Sequence, residues 1–143
     1  MNYLLDTCIL SEFARKRPEE KVIEWLDSID EEMLFISVIS IGEIQRGIEK
    51  MEESNRRGKL SAWLNMDVRK RFGNRLIKID ENTMLRWGTL TASLEKNGHP
   101  MSVMDSLIAA SAFQENLILV TRNIKDFEYS RVPLINPWDD EVN

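Results

Sequence analysis

Tyr3-Leu4-Leu5-Asp6-Thr7-Cys8-Ile9-Leu10 decides how the rest of the chain is read. Tyr3-Leu4-Leu5 has the length and apolarity of a short buried strand, and Asp6 ends it. From Thr7 to Arg15 the apolar residues Ile9, Leu10 and Phe13 change to helical spacing. A strand that passes directly into a helix is the unit of an α/β domain, and the alternation recurs downstream. Leu34-Phe35-Ile36, Leu76-Ile77-Lys78-Ile79, Leu117-Ile118-Leu119-Val120 and Leu134-Ile135 are the other strand candidates. A second helix follows the break at Lys16-Arg17-Pro18, because proline suits a first helical turn and Val22, Ile23 and Trp25-Leu26 supply its apolar face. A third runs from Ser37 to about Glu53, with Ile41, Ile44, Ile48 and Met51 on one stripe. Beyond a turn at Arg57-Gly58, Leu60, Trp63, Leu64, Val68 and Phe72 predict another helix, which Gly73-Asn74 ends. Glu81 to Glu95 and Met101 to Gln114 complete the set. The pattern predicts an α/β fold with a mostly parallel central sheet flanked by helices.

Working outward, 143 residues fit one domain and can bury a real core. Hydrophobic content of 43% and charged content of 30% are those of a soluble globular chain. A single cysteine, Cys8, rules out an intramolecular disulfide and suggests a reducing compartment. Neither a basic, apolar leader nor a membrane span is visible, so a cytoplasmic location is expected. Asn136-Pro137-Trp138 is expected to close the fold, with a loose acidic tail after it. The net charge of −5 hides an uneven distribution. Arg56, Arg57, Lys59, Arg69, Lys70, Arg71, Arg75 and Lys78 face only one acid, Asp67, between Asn55 and Lys78. A basic face on an acidic protein can steer a polyanion, although a solvated helix explains the charges equally well.

Four acids fall where strands end or helices begin: Asp6, Glu43, Asp105 and Asp126. Converging, they would form an all-oxygen site for a hard cation such as Mg²⁺ or Mn²⁺ and would point to phosphodiester chemistry. Each also has a structural explanation. Asp6 can cap the helix that starts at Thr7. Ser40-Ile41-Gly42-Glu43 matches a capping box and Ser102-Val103-Met104-Asp105 its acidic variant. Asn123 and Asp126 can serve an ordinary turn. Two features favour function. Asp105 shares a helical face with Ile108, Ala109 and Ala112, where an acid needs a partner. Gly47, four residues after Glu43, leaves space beside that carboxylate. No Gly-rich phosphate loop is present, and nothing pairs Cys8 with the lone His99, which reads as a loop residue. Trp63 and Trp87 read as core or partner contacts.

Leu4-Leu5-Asp6-Thr7, Ser11-Glu12, Ile36-Ser37-Val38 leading to Gly42-Glu43-Ile44, Met104 to Ala110 and Leu119 to Phe127 resemble, in this order, a PIN-domain ribonuclease of the VapC toxin family. Asn136-Pro137-Trp138 is similar to its FitB-like branch. The resemblance covers nearly the whole chain and implies a single PIN domain over residues 1–143. It implies Asp6, Glu43 and Asp105 as metal-binding catalytic acids, and a fourth position within Thr121–Phe127 that Asp126 or Asn123 could fill. Thr7 and Thr121 resemble the hydroxyl residues that line such sites. The implied activity is that of a type II toxin: Mg²⁺-dependent (or Mn²⁺-dependent) endoribonuclease cleavage by activated water, leaving a 5′-phosphate and a 3′-hydroxyl. The implied partners are RNA, a cognate antitoxin protein and a second copy of the chain, with no membrane. Arg56, Arg57, Lys59, Arg69, Lys70, Arg71 and Arg75 are candidates for holding the RNA or the antitoxin. The family usually has asparagine where this chain has Cys8, and a thiol is a weaker hydrogen-bonding group. That departure leaves room for a catalytically weak PIN-like module that binds RNA or protein. An unrelated metal-dependent phosphatase is a third reading.

Overall fold

The computed structural model describes residues 1–139; the expected loose tail lies outside the described residues except for Asp139. Five strands, β1 (Tyr3–Leu5), β2 (Leu34–Ser37), β3 (Leu76–Ile77), β4 (Ile118–Val120) and β5 (Leu134–Ile135), form one sheet in the order β3-β2-β1-β4-β5. Every pairing is parallel; Leu4, for example, lies opposite Phe35 on one side and Leu119 on the other. The helices are α1 (Thr7–Phe13), α2 (Glu20–Asp27), α3 (Val38–Glu49), α4 (Asn55–Ala62), α5 (Arg69–Arg71), α6 (Glu81–Lys96), α7 (Val103–Gln114) and α8 (Ile124–Phe127).

Successive strand side chains point to opposite faces of a sheet, so strands covered on both faces must be apolar throughout. Leu5, Ile36 and Val120 enter one core with Ile9, Leu10, Val22, Leu26 and Phe72. Leu4 and Leu119 enter the other with Ile108, Ala109, Ala112 and Phe127. β1 lies between the two strands added on either side of it. The topology reverses there, and in open α/β sheets ligands collect at the carboxyl ends of such strands. Trp138 packs against the first core beneath the Arg122 guanidinium, so the Asn136-Pro137-Trp138 segment does close the fold.

Local details depart from the sequence reading. The third helix stops at Glu49 rather than near Glu53. Arg57-Gly58 is not a turn: the Ser54 hydroxyl accepts the Arg57 N–H at 3.2 Å and starts α4 at Asn55, leaving Gly58 inside the helix. The stripe from Leu60 to Phe72 is not one regular α-helix, because Trp63–Val68 is wound as a π-helix between α4 and α5. His99 stacks on Tyr129, with ring centroids 3.7 Å apart, and has no contact with Cys8.

Candidate active site

Asp6 is the best-fixed acid. It follows β1, caps α1 by accepting the Thr7 N–H at 2.8 Å, and accepts the Thr121 hydroxyl at 2.8 Å from just beyond β4. Only 5% of the residue is exposed. Thr121 in turn accepts the Asn123 N–H at 3.0 Å, so one buried hydroxyl connects Asp6 to the segment carrying Asp126. The capping role expected for Asp6 is therefore real, and it coexists with burial beside other acids. Burial pushes the Asp6 carboxyl up; the Thr121 and Thr7 hydrogen bonds oppose this, while the charges of Asp105 and Glu43 raise it further.

Glu43 is not part of a capping box. The N-cap of α3 is Ser37, whose hydroxyl accepts the Ile39 N–H at 3.0 Å. Ser40 is instead buried within the helix, its Oγ 2.8 Å from the Thr7 hydroxyl oxygen. The Thr7 hydroxyl donates to Glu43 Oε1 at 2.7 Å, aiming an exposed carboxylate back toward α1. Space beside Gly47 is open, as the sequence suggested.

Asp105 does sit in a half-formed capping arrangement, its N–H donated to the Ser102 hydroxyl at 3.2 Å. Capping leaves its carboxylate on the face shared with buried Ile108, Ala109 and Ala112. Burial raises this carboxyl too; the Ser102 hydroxyl opposes, and the charges of Asp126 and Glu43 add to the rise. Asp126 and Asn123 are both exposed, and Asp126 is the one whose charge reaches Asp105.

Cys8 lies within this shell. Its thiol is 3.9 Å from Asp6 Oδ2 and 3.8 Å from Thr121 Oγ1, and it accepts the Arg122 N–H at 3.5 Å. Burial and the Asp6 charge push the thiol up, so it stays protonated. The short contacts that orient Asp6 come from Thr7 and Thr121, not from this position.

The donor set fits a hard cation in kind: all four acids offer oxygen, and two are held above the ordinary carboxylate range by burial and by their neighbours. As the side chains stand, no three His, Cys, Asp or Glu groups among the described residues form a ready-made metal site. Ligation by three or more of them requires side-chain movement.

Two grooves that share lining residues lead away from Thr7 and Glu43. The first, about 400 Å³, runs from Thr7 and Glu43 over an apolar floor that includes Leu60 and Trp63. The second, about 830 Å³, shares Arg15, Arg56 and Leu60 with it and adds Lys16, Arg17 and Lys59. Arg15, Lys16 and Arg17 were not among the expected binding residues. Their signal was a run of three cations, of which Arg15 ends the first expected helix and Lys16-Arg17 belongs to the break before Pro18. Arg71 and Arg75, which were among them, are instead engaged within the fold. Arg71 grips Glu31 through Nε at 2.5 Å and Nη2 at 2.8 Å. Arg75 donates to the backbone oxygens of Glu31, Leu34 and Arg71, each at 2.6 Å. Arg57 pairs with Glu49 at 3.0 Å, and Arg69 donates to Asn65 at 3.2 Å. Lys70 is exposed on α5.

The PIN-domain family model matches residues 3–132. The chain is 30% identical to toxin FitB of Neisseria gonorrhoeae over 137 residues, covering 96% of this chain and 99% of that protein. It is 31% identical to ribonuclease VapC2 of Haemophilus influenzae over 130 residues, covering 90% and 91% of the two chains. Its fold is similar to a chain in the structure of FitAB bound to an IR36 DNA fragment, with a TM-score of 0.91, 28% identity and 97% of each chain covered. VapBC2 of Rickettsia felis, solved bound to a DNA fragment from its promoter, gives a TM-score of 0.79 at 30% identity, covering 97% of this chain and 100% of that one. With its parallel sheet, its acids at the switch point and these relatives, the chain belongs to the PIN-domain family, in the group that contains FitB and VapC.

Proposed function

We propose that this protein is the toxin of a toxin–antitoxin pair and acts as a metal-dependent endoribonuclease, with residues 1–143 forming one PIN domain in the cytoplasm. One observation carries most weight: four acids from separate elements influence one another at the carboxyl edge of the sheet, and two are held above their ordinary range. Relatives named toxin FitB and ribonuclease VapC2 support the activity, and solved complexes of FitAB and VapBC support an antitoxin partner. No helix among the described residues is long and apolar enough to cross a membrane. A second copy of the chain is a further partner of the proposal.

Asp6, Asp105 and Glu43 would hold Mg²⁺ or Mn²⁺, with Asp126 in preference to Asn123 completing the set. The ion would supply charge neutralisation at the phosphate and lower the pKa of water for in-line attack. Thr121 and the Thr7 N–H set the Asp6 carboxylate before any ligand arrives, so little reorganisation is needed there. The Thr7 hydroxyl ties Glu43 Oε1 to α1, and that carboxylate must turn from it to reach a shared ion. Until a cation binds, burial, and to a lesser degree the neighbouring acidic charges, favour the protonated forms of Asp6 and Asp105. The test is incubation of the purified protein with structured RNA and Mg²⁺, with and without chelator. Cleavage is expected to vanish with chelator and in Asp6→Ala; cleavage that survives both refutes the reading.

A second reading, a PIN-like module that binds without cutting, draws on the dispersed placement of the acids and on Cys8 beside Asp6. Calorimetric titration separates the two, since a non-cutting module need not bind Mg²⁺ or Mn²⁺.

A further inference from the structure

We propose that Arg15 and Arg56 form a subsite for the phosphate of a nucleotide neighbouring the scissile bond, with buried Glu12 as the residue that positions Arg15; the proposal rests on the nuclease reading above. The two arginines line both grooves and so stand where the groove from Thr7 and Glu43 meets the basic one. A strand that reaches Glu43 along the first groove and continues into the second passes residues that line both, Arg15 and Arg56 among them. Beyond the junction the wall is cationic, with Lys16, Arg17 and Lys59. Among the described residues none of Lys16, Arg17, Arg56 and Lys59 has an ion-pair partner, in contrast to Arg57, Arg71 and Arg75. An apolar floor followed by a cationic wall suits an unpaired strand, whose bases lie on the floor while its phosphates meet the wall.

Arg15 is held for this task. Glu12 is 3% exposed, accepts Arg15 Nη1 at 2.8 Å and the Glu19 N–H at 3.0 Å, and so fixes the guanidinium between α1 and the start of α2. Burial alone would raise the Glu12 carboxyl, yet the Glu19 N–H and Arg15 hold it below its ordinary value, so it stays charged. The Arg15 side chain nevertheless remains 59% exposed, leaving its outer donors available to a phosphate.

The test measures anisotropy of a short fluorescein-labelled oligoribonucleotide of mixed sequence, bound in chelator over a range of salt concentrations. Arg15→Ala and Arg56→Ala are each expected to weaken binding several-fold. Each should also flatten the dependence of log K on log salt by about 0.7, the loss of one phosphate contact on a single strand. Arg15→Ala leaves buried Glu12 without its cation and should lower the melting temperature, so binding is measured well below the lower midpoint. Arg56→Ala should melt near wild type, and Arg86→Ala on α6, which donates to Gln114 and lines neither groove, should keep the wild-type slope. Glu12→Gln should weaken binding while leaving the slope closer to wild type, because it frees the arginine without removing it. Unchanged affinity and slope in the Arg15→Ala, Arg56→Ala double variant overturn the subsite. So does a double variant that loses affinity for an acidic peptide but not for the oligonucleotide. The arms also separate this proposal from the nuclease reading. Arginine-dependent binding supports the subsite even if added Mg²⁺ produces no cleavage. Cleavage at the wild-type KM in the double variant refutes the subsite and leaves the nuclease standing.

Discussion

Arg75→Ala should destabilise the protein severely and leave its affinity for RNA almost untouched. By sequence Arg75 belongs to a basic face; in the structure its side chain is 14% exposed. Its guanidinium joins three carbonyls, those of Glu31, Leu34 and Arg71, at the point where the chain enters β2 and β3. It also lies over the Phe72 ring and 3.3 Å from the Glu31 carboxylate. Each hydrogen bond contributes about 1 kcal/mol net, so the substitution should cost about 3 kcal/mol; the partly exposed carboxylate contact adds little. Unfolding entropy of about 2.1 cal/mol/K per residue gives about 300 cal/mol/K for 143 residues. The melting temperature should then fall by about 10 °C, read by far-UV circular dichroism. Oligoribonucleotide binding, measured well below the lower midpoint, should match wild type. A variant that melts within about 2 °C of wild type but binds RNA markedly less refutes the assignment of Arg75 to the fold.

Three further outcomes follow from the site and its surroundings. Folding raises the Asp105 carboxyl above its unfolded value of 3.8, so the native state holds the extra proton between 3.8 and the raised value; this group adds stability as pH falls through that window and removes it as pH rises. Asp105→Asn should therefore melt above wild type at neutral pH without metal, with the gap closing as pH falls toward 3.8, and parallel curves of melting temperature against pH would contradict this. Mg²⁺ at about 100 times its Kd should stabilise the wild type by about 2.7 kcal/mol and Asp6→Ala by much less, as thermal shift would show. Trp87→Phe removes the indole donor to Ser106 Oγ at 2.8 Å, on the residue next to Asp105, and should cost about 1 kcal/mol, read as a fall in melting temperature.

The strands were legible because buried parallel strands read as continuous apolar runs; four of the five lie within the expected stretches, and β2 runs one residue further, to Ser37. The positions of the acids were legible too, since Asp6 and Asp105 begin helices and carry the capping geometry expected of them. Glu43 shows the limit of local patterns. Ser40 and Glu43 have the spacing of a capping box, but Ser37, three residues earlier, is the cap, and that choice is made where β2 ends. Pairing of charges was illegible for the same reason. Nothing near Arg71 or Arg75 in sequence signals Glu31, about 40 residues away. The π-helical winding of Trp63–Val68 leaves an apolar stripe that still resembles a regular helix.

The groove floor also gives the molecule an optical reporter. Trp25 meets Tyr3 edge-on, Trp87 donates to Ser106 and Trp138 lies beneath Arg122, so three of the four indoles have environments set by the fold. Trp63 alone lines the groove between Thr7 and Arg56. A ligand lying there changes the solvent around one indole, so emission from the unlabelled protein can follow occupancy of the groove separately from events at the carboxylates. With the other three tryptophans replaced by phenylalanine, the spectrum would come from the groove alone.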